Sequence, residues 1–123
     1  MAEVEKSRGP YKVNAVGERA ALAALREDMD WVGAQIAEVR SNRARFTEML
    51  RRMGLSPLPS AANFVLVRVS NAADVAQRMR RSGVAVRPFV ALPGVGDALR
   101  ITIGPWSMMQ TALAALEEAL ACA

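Results

Sequence analysis

Arg87 and Arg100 are the residues of this sequence best suited to holding an anion. Each sits in a short β-branched or alternating stretch: VAVR at 84–87 and LRITI at 99–103. Such stretches favour strands, in which successive side chains point to opposite faces. In the second stretch Leu99, Ile101 and Ile103 share one face, and Arg100 and Thr102 share the other. In the first, Val84 and Val86 share a face and Arg87 projects from the opposite one. Two guanidiniums on one face of a small sheet can clamp a carboxylate or phosphate in a planar, two-pronged way that lysine cannot copy. A strand arginine is also commonly paired with an acid or solvated, and pattern alone leaves both readings open.

Other chemistries are excluded by residue type. There is no histidine, so a serine or cysteine nucleophile activated by histidine cannot be built within the chain. The one cysteine, Cys122, allows no internal disulfide, and there is no CxxC pair for a zinc site of the usual kind. No glycine-rich phosphate loop followed by Lys-Ser or Lys-Thr occurs. Among the positive residues only Lys6 and Lys12 are lysine, which matters for covalent chemistry through a lysine amine.

The 123 residues, 52% hydrophobic and 23% charged, suit a single globular domain able to bury a core. The opening MAEVEKSRGP has no apolar stretch of a secretory signal, and no apolar run nears the roughly 20 residues of a membrane span. With no disulfide framework, a cytoplasmic setting is expected. A net charge of +4 and a pI of about 10.2 agree with an anionic partner.

The elements that must position the arginines can be read in order. After a polar arm with Gly9-Pro10, residues 14–27 are alanine-rich and helical, with Asn14 as N-cap. A long helix over 30–53 follows, capped by Asp30 and closed by Gly54. Its stripe is Val32, Ile36, Val39, Phe46, Leu50 and Met53, interrupted by Arg43. Residues 63–69 (NFVLVRV) read as a strand buried on most of its surface. Ser70 or Asn71 then caps a short helix ending at Gly83. The strand 84–87, a turn over 92–97 and the strand 99–103 come next. Gly104-Pro105 opens a last helix with the stripe Trp106, Met109, Leu113, Leu116 and Leu120. The fold class is α+β: a small antiparallel or mixed sheet of about three strands, helices on one face, preceded by a long helix.

One stretch resembles a known family. LPGVGDALRITIGPW at 92–106 resembles the C-terminal motif of histidinol-phosphate aminotransferases, class I/II pyridoxal-phosphate enzymes of the aspartate-aminotransferase fold. RGPYKVN at 8–14, PSAANFVLV at 59–67 and GVAVRPF at 83–89 look like three further family segments, so the resemblance covers nearly the whole chain. It implies that Arg100 contacts the substrate's acidic group and that Arg87 helps bind a substrate phosphate. It implies a place for Asn63 near the site entrance, beside an ordinary role in capping a loop backbone. Tyr11 matches a motif tyrosine and reads as structural.

The resemblance also implies what is not here. The Schiff-base lysine and most cofactor ligands of the family lie upstream of the matched segments, and Lys6 and Lys12 lie in no cofactor motif. The chain is therefore expected to hold no catalytic and no cofactor-binding residue. Residues 1–29 would be an arm and the last helix of an absent large domain, and 30–123 the bridging helix and small domain. Partners would be an amino acid or 2-oxo acid substrate, the large domain, and a second copy in a homodimer.

Two other readings compete. One is a non-catalytic, truncated relative serving as an anion-binding or self-associating module, with apolar surface on its first helix and on the free face of its sheet. The other is nucleic-acid binding through RSNRAR at 40–45, which lacks aromatic interleaving and is better read as a solvated helix face. Neither nucleic acid, membrane nor metal is expected as a partner.

Overall fold

Asn14 starts the first helix as its short amide predicts: its side-chain oxygen accepts from the Gly17 N–H at 2.8 Å. That helix, α1, covers Ala15–Glu27 in a computed structural model that describes residues 13–121. Lys6, Tyr11, Lys12 and Cys122 lie outside the described residues. Helix α2 covers Met29–Arg52, so it starts one residue before the expected Asp30 cap, and Asp30 lies inside its first turn. Gly54 closes α2 with φ of +78°, its N–H donating to Arg51 O and that of Leu55 to Leu50 O. Only glycine takes this left-handed position without cost, so the sequence signal is correct.

The chain divides into two units, one ending at Gln35 and one starting at Ile36, inside α2. In the first unit α1 has no buried residue, and Val16, Leu25 and Trp31 are exposed.

The second unit carries the sheet. Its strands are β1 (Ser56–Pro57), β2 (Phe64–Arg68), β3 (Arg87–Leu92) and β4 (Gly96–Thr102). Their order is β1-β2-β4-β3 and every pairing is antiparallel. The expected three strands are thus four, because the short pair Ser56–Pro57 adds to β2, and the sheet is not mixed. Helix α3 spans Ala72–Arg81 and α4 spans Trp106–Ala121.

The sheet and helices share one core. Val65, Val67, Leu99 and Ile101 point into it and meet Val75 and Met79 of α3, Met109 and Leu116 of α4, and Phe46 and Leu50 of α2. Alternation along β4 works as read: Leu99 and Ile101 are buried while Thr102 is exposed. Strand β2 is less enclosed than expected, since Phe64 and Leu66 are only half-buried. The α2 stripe is buried at Phe46 and Leu50 but not at Ile36, which is 48% exposed.

Two local readings need correction. Asn71 precedes α3 but does not cap it with its side chain; it sits in the left-handed region at φ 53°, ψ 45°. Its carbonyl instead accepts from Asp74 and Val75, and asparagine tolerates that conformation better than most residues. The strand placed at 84–87 in fact begins at Arg87 and runs to Leu92. Val84 and Val86 pack half-buried against the core from an unpaired segment. Pro88 lies inside β3, which is the sheet edge, where the missing N–H is tolerated.

The β3–β4 hairpin is tight. Leu92 pairs with Gly96, and Val95 N donates to Leu92 O at 3.0 Å across Pro93-Gly94. Gly94 takes φ of +74°, as proline followed by glycine in such a turn requires. Just before it the ladder is irregular between Phe89 and Leu92, and Ala91 is held at φ of +50°. The Asp97 carboxylate accepts the Ala91 N–H at 2.9 Å.

Candidate anion-binding site

The β3–β4 register puts Arg87 directly opposite Arg100, and β2 puts Leu66 on the other side of Arg100. Residues opposite each other across a ladder share a face. Both arginines therefore stand on the face turned away from α3 and α4. Arg100 is half-buried and Arg87 exposed. Neither forms an ion pair among the described residues.

Each guanidinium lies by an aromatic ring. Arg100 Cζ is 4.9 Å from the centroid of Phe64, and Arg87 Cζ is 5.4 Å from that of Phe89. Both distances fall within cation–π range. Phe64 pairs with Thr102, so it is the diagonal neighbour of Arg100; Phe89 is two residues along β3 from Arg87. The order across the face is Phe64, Arg100, Arg87, Phe89. Like charges directly opposite destabilise a ladder. The rings offset part of this repulsion, and an anion between the guanidiniums would offset more.

Asn63 lies at the end of the same ladder, exposed, with its backbone carbonyl accepting from Ile103 N at 2.8 Å. Its side chain has no hydrogen-bond partner among the described residues, so it does not cap its own loop.

Helix α2 reaches both loops at this end. Arg43 Nη1 donates to Ala62 O at 2.6 Å, and Asn42 Nδ2 to Gly104 O at 3.0 Å. Arg45 Cζ lies 3.6 Å from the centroid of the Trp106 ring. The solvated-face reading of RSNRAR therefore fails for Arg43, which is half-buried on its own chain, and holds for Arg40 and Arg45, which are exposed, Arg45 while lying over the Trp106 ring. The only signals in the sequence were the break in the apolar stripe at Arg43 and the adjacent Asn42, a polar residue only 8% exposed.

A separate cleft of about 320 Å³ lies on the core side, lined by Val84, Val86, Ile101, Met108 and Ala112 among others. No charged side chain lines it, so it lacks the groups to grip an anion. Among the described residues no group of three His, Cys, Asp or Glu could hold a metal ion, and no helix is long and apolar enough to cross a membrane.

A small antiparallel sheet with helices on one face and an in-register arginine pair on the other defines an α+β domain. The profile of the aminotransferase class I and II family matches residues 2–116, and the chain belongs to that family. It is 40% identical over 117 residues to the histidinol-phosphate aminotransferase of Methylobacillus flagellatus, covering 95% of this chain and 31% of that protein. With the enzyme of the same name from Methylibium petroleiphilum it shares 42% identity over 106 residues, 85% of this chain and 28% of that one. The chain thus spans about a third of the length of the curated relatives it matches. Among solved structures, the histidinol-phosphate aminotransferase of Clostridium acetobutylicum shares the fold, with a TM-score of 0.81 over 99% of this chain and 38% of that one at 23% identity. The Sinorhizobium meliloti enzyme, solved in complex with pyridoxal-5'-phosphate, gives 0.74 over 96% of this chain and 33% of that one at 28% identity.

Proposed function

We propose that this chain is the substrate-gripping C-terminal part of a pyridoxal-phosphate-dependent aminotransferase. The whole enzyme would move an amino group between histidinol phosphate, or a similar amino acid, and a 2-oxo acid. The observation that carries the reading is the in-register pair Arg87 and Arg100 on the open face of the sheet. Arg100 holds the acidic group of the substrate and Arg87 helps bind that group where it is a phosphate, with Asn63 at the entrance. Fixing the anionic end limits the motions of the amine and orients it for reaction.

Pyridoxal phosphate supplies the electron sink for such a transfer when bound. Among residues 13–121 there is no lysine to hold it covalently, and Lys6 and Lys12 lie in no cofactor motif. The lysine that holds the cofactor would come from an upstream large domain, and this chain alone would be inactive. In this reading residues 1–29 are an arm and the last large-domain helix, and 30–123 are the bridging helix and small domain. The enzyme would be a cytoplasmic homodimer.

The exposed Val16, Leu25 and Trp31 favour one other reading, a self-associating module without catalysis. The size of the native protein, found by blotting its source cell with an antibody to this chain, separates the two. A band far above 13.3 kDa supports the enzyme. A band at that mass removes the transaminase reading and leaves the module.

A further inference from the structure

We infer that Asn42 and Arg43 are positioning residues for the arginine pair, an inference that rests on the anion-gripping role proposed above. Asn42 is only 8% exposed, and its amide donates to the Gly104 carbonyl at 3.0 Å and toward Glu38 Oε1 at 3.4 Å. Arg43 is half-buried and donates to the Ala62 carbonyl at 2.6 Å. Those carbonyls flank the same end of one ladder. Ala62 stands two residues before Phe64 and Gly104 two residues after Thr102, and Phe64 and Thr102 are register partners. Between them, Ile103 N closes the ladder on Asn63 O at 2.8 Å. Consecutive helix residues diverge by about 100°, so one turn of α2 reaches both strands. Arg45, against the Trp106 ring, holds the same end from a third position.

The bracket bears on the site through Phe64. That ring is the one beside the Arg100 guanidinium, at 4.9 Å, and it follows Ala62 by two residues. A displacement of the 62–64 backbone moves the ring and turns the guanidinium. Two-pronged binding of an anion tolerates only about 10–20° of misorientation. Packing alone would be better served by an apolar residue at 43, because a half-buried guanidinium loses hydration. The sequence places a charged donor there, and the donor meets the loop that leads into the arginine site.

Titration of inorganic phosphate into the complete protein, followed by calorimetry, tests this. The stoichiometry reports the folded, competent fraction, and Kd reports the geometry of the site. Arg43→Ala is expected to raise Kd about threefold or more with stoichiometry kept, and Arg43→Lys, which retains a cationic donor, to recover part of the loss. A lowered stoichiometry with unchanged Kd would make Arg43 a purely structural residue and overturn the inference. If the alanine variant does not fold, Arg43→Met keeps the apolar stem without the donor and is read the same way; failure of both to fold also overturns it. The double variant R87A/R100A separates the two levels. If it abolishes phosphate binding while Arg43→Ala leaves Kd unchanged, only the positioning role falls. If it leaves Kd unchanged, the anion-gripping reading falls and takes the positioning role with it.

Discussion

Arg87 and Arg100 stand directly across from each other in the β3–β4 ladder, two positive charges on one face of the sheet with an aromatic ring at each flank. A ladder optimised only for stability would place opposite charges, or apolar groups, at that pair of positions. No acid pairs with either arginine among the described residues, as the proposed anion grip requires.

That repulsion can be measured. Arg87→Glu places an acid opposite Arg100 and is expected to stabilise the protein by about 0.2–1 kcal/mol, while anion binding is lost. Urea unfolding and phosphate titration of the same variant check the two halves. A destabilised variant would mean that the arginines do not repel in the native sheet.

Arg100→Ala in the complete enzyme should raise KM and lower kcat/KM for acidic substrates. Loss of a charge-assisted, two-pronged contact corresponds to about 1.5–3 kcal/mol, or roughly 10- to 150-fold in kcat/KM. Steady-state kinetics at matched cofactor loading give the answer, and unchanged constants would remove Arg100 from the site.

Arg87→Ala should discriminate between substrates. Its cost is expected to fall mainly on phosphorylated amino acids, with non-phosphorylated ones affected less. Paired kcat/KM values for histidinol phosphate and an unphosphorylated amino acid test this, and equal losses contradict a phosphate role.

Ala91 is held at φ of +50° in the irregular stretch of β3. A residue with a Cβ pays about 1–2 kcal/mol there, part of which glycine removes. Ala91→Gly should therefore stabilise the fold by about 0.5–1 kcal/mol, net of the entropy glycine gains when unfolded. Gly94→Ala, at φ of +74° in the adjoining turn, should act in the opposite sense. Midpoints of thermal unfolding for the two variants provide the comparison.

Burial separates two residues of the same predicted helix stripe. Leu50 is fully buried while Ile36 is 48% exposed. Leu50→Ala should cost about 2–5 kcal/mol in chemical unfolding. Ile36→Ala should stay nearer the roughly 0.5 kcal/mol of an ordinary surface change. Similar losses at both positions would show that Ile36 is covered in the complete protein.

Much of this protein was legible from residue order, because the deciding signals are local. The Asn14 cap, the glycine stop at Gly54, and the alternation that turns Leu99 and Ile101 inward and Arg100 outward depend on neighbours a few residues away. The family followed from motifs of the same short range. Other features depend on contacts distant in sequence. The start of β3 was misplaced because β-branched residues at 84–86 look like strand wherever they occur, while the ladder forms only where β4 supplies partners. The short β1 exists only because β2 lies beside it. Arg43 interrupted a helical stripe and gave no hint that the carbonyl of Ala62, 19 residues on, would accept its hydrogen bond. Only the tertiary structure set Arg87 opposite Arg100, since strand register comes from the hairpin turn and its irregular ladder together, and a slip of one residue would have sent one arginine to the other face.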